Sequence, residues 1–470
     1  MPATSVDGIE VGISREVAGG ATMTASSDCG SDHELMSHEG AASPHSKSSG
    51  HAHRRSEWWR SASVITGEVM GTGLLSLPYA ISRLGWAIGL ASSIGFGCTA
   101  IYSGVLLSYS KNELYPEAGS YADLAHATGG PRFGKFTRVS LAIGWGMILP
   151  YYLIACAASL HGAFPSLGLC YWQWSIVVML CAAPTLQYRS LHGLSLLSLL
   201  STLAIVIVVI VIVIGLIASA PTSAADGAEV VNHTSVGLPA GGSFLRVYSS
   251  LGAFIFAYQG QSMFLEVMRE MQEPRDFPKA LYAANGLMII VYTGVSAIGY
   301  GTYGDRVQSF LPDTLPAGFA RTVVGVLLAF HTLVSYLLTG QPLHRVLHLW
   351  LLPATADQPT RQGAWHWAWI TLTLLVLAFL VANVVPFFAD LQDLLGNLLG
   401  GASVFGWPAF FFLRGSKLKG RPVALVDKLM CALFLGVCLP AFTLVGTLNA
   451  FLVVVNDVQT NEARPFECSP

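Results

Sequence analysis

Ser63–Ala80, SVITGEVMGTGLLSLPYA, combines groups that seldom share one apolar stretch: a carboxyl at Glu68, glycines at Gly67, Gly71 and Gly73, and Pro78. Each glycine weakens a helix by up to about 1 kcal/mol relative to alanine. A carboxylate inside a hydrophobic span costs roughly 2.5–3.5 kcal/mol on insertion scales. A sequence that carries both has a use for the opened backbone. N–H groups at a helix restart carry partial positive charge and suit a carboxylate. Carbonyls at the end of a half-helix suit a cation. The second such stretch is SSLGAFIFAYQGQSMFLEVMREM, residues 249–271. It sets Tyr258, Gln259, Gly260 and Gln261 amid apolar residues, with Glu266 following. A small dipolar solute would place its carboxylate against Gly71, Thr72 and Gly73. Its ammonium would meet carbonyls around Phe256, Ala257 and Tyr258, with Gly260 opening the chain. The competing reading is that these glycines only let helices pack closely.

Glu68 is the first candidate for carrying a proton, because a carboxyl held away from water can be neutral in one state and charged in another. A permanent structural pair is the alternative. Glu266 is the second candidate, against a solvated role. His331 is the third, against a role in packing. Tyr258, Tyr336 and Phe256 are candidates for shaping a side-chain pocket, although aromatics in such segments usually pack. Asp390 and Asp393 are candidates for cap or gate residues, and ordinary solvation is the preferred reading. Thr322, Thr332 and Ser335 are hydroxyls able to hold an ion, but no partner for them stands on the first stretch.

The elements that hold these groups are set by composition. The chain is 53% hydrophobic and 11% charged. Soluble domains run near 25% charged, so a polytopic membrane protein in a lipid bilayer is expected. The net charge of −2 supplies no basic field for nucleic acid. No phosphate-cradling loop, metal-ligand spacing or nucleophile arrangement points to an enzyme, a metal or a cofactor. Cys98, Cys156, Cys181, Cys431 and Cys438 lie in apolar runs and read as small hydrophobes. Cys170 and Cys468 share one side and are able to pair.

About 20 apolar residues span a bilayer. On that rule eleven segments are expected, at 62–81, 86–108, 134–162, 171–187, 193–219, 244–268, 280–304, 318–342, 364–383, 386–412 and 428–455. The fourth is short and holds Pro184. The fifth has an Ile/Val run that would favour a strand in water, yet lipid leaves helices or closed barrels. Residues 1–56 are polar, so no apolar leader is expected there, and a disordered cytoplasmic tail is. His45, His51 and His53 belong to that tail and read as a solvated linker. The transmembrane domain is expected over 57–455, with a short tail at 456–470.

All but five of the 25 Lys and Arg residues fall on the N-terminal side of this frame; the five are Arg83, Arg246, Arg306, Arg321 and Arg464. The positive-inside rule then places the N-terminus in the cytoplasm and the C-terminus outside. Asn232-His-Thr, between the fifth and sixth segments, is a glycosylation sequon on the outer side. The first and sixth segments are both glycine-interrupted. Such a pairing points to an inverted repeat of segments 1–5 and 6–10, with a site at mid-membrane.

The motifs resemble those of the amino acid/auxin permease family, which includes plant amino acid permeases and animal proton-coupled amino acid transporters. Gly71-Thr-Gly-Leu-Leu-Ser-Leu-Pro-Tyr-Ala80 with Leu84-Gly-Trp86 is similar to its first-helix signature. Ser120-Tyr-Ala-Asp-Leu124 resembles its second inner loop. Phe256-Ala-Tyr-Gln-Gly-Gln261, with Glu266 and Pro274, resembles its sixth-helix motif. His331, Tyr336 and Gln341-Pro342 resemble its eighth helix, and Pro386-Phe-Phe-Ala-Asp390 with Gly396 its tenth.

The resemblance implies an all-α LeuT-type fold, a 5+5 inverted repeat plus one helix. It implies alternating-access symport of amino acids with protons, at the plasma membrane or a vacuolar or lysosomal membrane. Sodium-coupled relatives carry Asn where Gly67 stands, which argues against sodium. Many relatives carry His where Gln261 stands, so no proton role is expected there. The rival functions are carriage of a related organic anion, such as an indole acid, and amino acid sensing by the same fold. An unpaired basic residue near the site would favour the anion, and the sequence offers none.

Overall fold

The computed structural model describes residues 56–188, 195–220, 233–239, 244–356, 358–384 and 388–459. All of the expected 1–56 tail but Ser56, the sequon at Asn232, Pro386, Phe387 and Cys468 lie outside them. Cys170 is disulfide-bonded. The five other described cysteines are free, so its partner is not among the described residues.

Among the described residues the chain is helical, with a single parallel bridge between Ser56 and Met271. The α-helices are α1 (Trp58–Val69), α2 (Leu77–Tyr109), α3 (Tyr121–Gly129), α4 (Pro131–Ala163), α5 (Tyr171–Thr185) and α6 (Ser195–Ala218). Then come α7 (Phe244–Ser249), α8 (Leu251–Tyr258), α9 (Phe264–Glu270), α10 (Phe277–Tyr303), α11 (Phe319–Leu351) and α12 (Arg361–Val384). The last are α13 (Phe388–Leu395), α14 (Trp407–Leu418), α15 (Leu425–Leu433) and α16 (Thr447–Gln459).

Eight helical stretches among these residues are long and apolar enough to cross a membrane. The difference from eleven has three physical reasons. The outer half of the first expected segment runs into the second, because helical geometry resumes directly after the turn at Gly85. There φ is 76°, a region open to glycine, and the N–H groups of Trp86 and Ala87 donate to the carbonyls of Ser235 and Val236. The fourth segment, α5, has 15 residues, or about 22 Å at 1.5 Å per residue, short of a bilayer core. The sixth is broken into α7, α8 and α9. The Ile/Val run of the fifth segment is the helix α6, as lipid requires. The final helix continues past the expected boundary at 455, to Gln459.

Both expected interruptions are present. After α1 the chain leaves helical geometry at Met70 and Gly71 and resumes as a 3-10 turn over Thr72–Ser76. After α8, Gln259 is extended and Gly260 has φ −158°, ψ 0°. A 3-10 turn, Gln261–Met263, then leads into α9. The two breaks face each other, and α4, α11 and the tenth segment surround them. Between α13 and α14 the chain widens into a π-helical stretch, Gly396–Gly406. Such stretches often mark functional positions.

Candidate functional site

A cavity of about 1060 Å³ reaches the two breaks and extends from them along α4 and the last segment. Its inner wall is formed by Gly71, Thr72 and Gly73 on one side and Phe256, Gln259, Gly260 and Gln261 on the other. Glu68, Tyr152, Glu266, His331 and Ser335 also line it, and the lining continues to Arg269 and Glu270 at the end of α9. That end lies on the face where the chain enters α1, because Ser56 bonds Glu270 and Gln272 through the backbone. The cavity therefore reaches from mid-protein toward the N-terminal face.

The opposite end is closed. The guanidinium of Arg83 donates to the Tyr79 hydroxyl at 2.6 Å and lies 3.5 Å from Asp390 and 3.8 Å from Asp393. The solvated role is thus overturned for both aspartates, which are 6% and 3% exposed. Beneath them Phe310, Phe388, Tyr151 and Phe256 touch ring to ring in sequence, with centroids 4.8–4.9 Å apart. Asp457, at the end of α16, pairs with Arg246 on the same face.

The backbone at the first break is only partly satisfied. The Gly73 carbonyl accepts from Gln392 Nε2 at 2.9 Å. The Thr72 carbonyl accepts from the Tyr151 hydroxyl at 3.1 Å, and the same hydroxyl lies 2.8 Å from Gln392 Oε1. The N–H groups of Thr72 and Gly73, the first of the 3-10 turn, have no carbonyl partner among the described residues. Unpaired N–H groups at a helix start are donors for an anion. At the second break the Gly260 N–H donates to Gln261 Oε1 at 2.9 Å. Gln261 Nε2 is buried with no partner among the described residues.

The residues expected at the site divide into two groups. Glu68, Gly71, Thr72, Gly73, Phe256, Gly260, Glu266 and His331 come together around the cavity. Ala257, Tyr258 and Tyr336 do not line it. Ala257 packs against Gly73. The Tyr258 ring turns away toward Tyr292, at 5.1 Å. Tyr336 is buried in the core. The hydroxyls of Thr322, Thr332 and Ser335 donate to backbone carbonyls. Tyr151, Gln392, Ser201 and Arg83 were missed. Their one signal in the sequence is a polar or aromatic side chain inside an apolar run.

The known proteins similar to this chain agree in kind. Over 404 residues it is 24% identical to amino acid transporter AVT1B of Arabidopsis thaliana, covering 83% of this chain and 70% of that one. It is 28% identical over 384 residues to AVT1D of the same plant, covering 77% and 64%. It is 26% identical over 385 residues to the human vesicular inhibitory amino acid transporter, covering 78% and 70%. The match therefore spans 64–70% of the length of these three relatives. Among solved structures it is similar to a Na+-coupled sialic acid symporter in a substrate-bound outward-open state, with TM-score 0.46 and 13% identity over 88% of this chain and 92% of that one. The family model described as transmembrane amino acid transporter protein matches residues 54–449. This multi-pass chain, with its two broken helices around one cavity, belongs to that family, the amino acid/auxin permeases that its motifs resemble.

Proposed function

We propose that the protein is a secondary active transporter that carries amino acids in symport with protons, by alternating access, toward the cytoplasm. The supporting observation is the cavity at the two breaks, reaching toward one face and closed at the other by Arg83 with Asp390 and Asp393. A cavity that reaches toward one face and is closed at the Arg83 end fits one half of an alternating-access cycle. The other half needs the Arg83 cluster and the aromatic row to part while the α9 end closes.

The chemistry of the walls supports an amino acid as cargo. The carboxylate would sit against the N–H groups of Thr72 and Gly73. The ammonium would face the carbonyls at the end of α8, where a helix leaves its last C=O groups unpaired. Glu68, Glu266 and His331 are the proton-binding groups on the walls. Positive charge on the N-terminal side makes that face the cytoplasmic one, so the state described is open inward. The candidate locations are the plasma membrane, a vacuolar or lysosomal membrane and, after the name of the human relative, a vesicular one. An organic anion is disfavoured, because Arg269 is the one arginine or lysine of the lining, against the carboxyls of Glu68, Glu266 and Glu270.

The test is uptake of each of the twenty labelled amino acids by cells expressing the protein at their surface, at acidic and neutral external pH. Uptake that rises with acidity for at least one amino acid supports the proposal. No pH-dependent uptake of any would overturn it.

A further inference from the structure

His331 is held by a residue on another helix. Its Nδ1 lies 3.2 Å from the carbonyl oxygen of Ser201 and 2.9 Å from the Ser201 hydroxyl. A carbonyl can only accept, while the hydroxyl can accept as well as donate, so the tautomer assigned to the neutral ring carries its proton on Nδ1 and its lone pair on Nε2. That Nε2 faces the first break: a β-carbon on residue 71 would lie 3.0 Å from it. His331 is also part of the cavity wall. The neutral ring thus turns a lone pair toward the place where the proposed function puts the substrate carboxylate.

We infer that His331 Nε2 takes up a proton together with the substrate carboxylate, so that neither is held well alone, with Ser201 as the positioning residue. The inference rests on the symport reading above. An unprotonated Nε2 repels the carboxylate. A protonated Nε2 donates a charge-assisted hydrogen bond to it, the stronger class of such bonds. The proton comes from water when the cavity opens at the Arg83 end and returns to water at the α9 end. No bond of the substrate changes.

The other titratable groups facing this cavity are Glu68 on α1, Tyr152 on α4, and Glu266, Arg269 and Glu270 on α9. Helix α6 brings hydroxyls only, and Cys156 lies behind, on α4, bonded to the Ala329 carbonyl. Glu68 heads the order read from sequence. His331 displaces it because only His331 has its proton placed by a fixed partner and its free nitrogen set against the break.

The test uses purified protein in proteoliposomes, with an equimolar mixture of the twenty labelled amino acids. For one proton per substrate, wild-type accumulation rises about tenfold per unit of pH difference. His331→Gln presents a permanent amide donor near the Nε2 position. It is expected to lose gradient-driven accumulation, and the exchange that remains no longer varies with pH. An unchanged response to the gradient would overturn the inference while leaving the symport reading intact. No gradient-driven accumulation by the wild type would overturn both. Ser201→Ala removes one partner of the imidazolium, so the midpoint of the pH profile is expected to move to lower pH. An unmoved midpoint would overturn the positioning role, and this variant decides the matter if His331→Gln does not fold.

Discussion

Gly73 and Ala257 meet backbone to backbone across the two breaks. A β-carbon on residue 73 would lie 2.9 Å from the Ala257 α-carbon, closer than real β-carbons come to other atoms. The neighbour is main chain and cannot rotate away. Gly73→Ala is therefore expected to push the broken segments apart, at about 1–3 kcal/mol for overpacking. Amino acid uptake should fall at least tenfold while surface expression persists. Wild-type uptake in this variant would show that the two breaks need not touch.

Gln392 ties three helices together. It donates to the Gly73 carbonyl, lies 3.4 Å from the Ala253 carbonyl and, through Oε1, 2.8 Å from the Tyr151 hydroxyl. Gln392→Ala leaves buried polar groups unpaired, which costs about 1–3 kcal/mol. Apparent substrate affinity should weaken roughly 5- to 150-fold on that scale. Competition binding on the purified variant measures it, and an unchanged affinity would mean that water replaces the amide without loss.

These residues mark the limit of what the sequence makes legible. The breaks at Gly71 and Gly260 can be read locally, because glycines weaken the helix and amides bring polar groups that lipid cannot satisfy. Tyr151, Gln392 and Ser201 cannot. Gln392 lies 319 residues from its partner Gly73 in the chain, and Ser201 lies 130 from His331, so only packing brings them together. Tyr336, on the continuous helix α11, turns into the core, and Tyr258 misleads for a reason of its own. Near a broken helix the 3.6-residue periodicity no longer tells which way a side chain points, and Tyr258 turns toward Tyr292 instead of the cavity. Asp390 and Asp393 read as solvated because nothing nearby in sequence announces Arg83.

Arg83 is the one cation within 4 Å of Asp390 and Asp393 among the described residues. Removing one partner of a buried pair is destabilising by about 3–5 kcal/mol, because a charge is left uncompensated. In Arg83→Met the closed end should loosen. Ser76→Cys, set in the closed region in a background with Cys98 and Cys181 replaced by Ser, should then react with an impermeant thiol reagent from outside. The same cysteine beside an intact Arg83 should react far more slowly. Equal labelling would remove Arg83 from the gate.

The charge of the walls sets a preference among substrates. Three carboxyls and one arginine line the cavity, and like charges brought together in a desolvated site cost several kcal/mol. Aspartate and glutamate should compete with a neutral transported amino acid at least tenfold more weakly than their amides do. Inhibition constants for asparagine against aspartate, and for glutamine against glutamate, provide the comparison. Equal potency within each pair would mean that the wall carboxyls are neutral during transport or lie off the path.

Simultaneous recording of proton and amino acid entry into proteoliposomes that contain only the purified protein bears most directly on the proposed function. With the lumen at neutral pH and the bath acidic, amino acids should accumulate above the bath concentration. Protons should enter in fixed proportion, and collapsing the gradient should abolish both. Amino acid accumulation without proton entry, or no accumulation at all, would contradict proton-coupled carriage through the cavity between the broken helices.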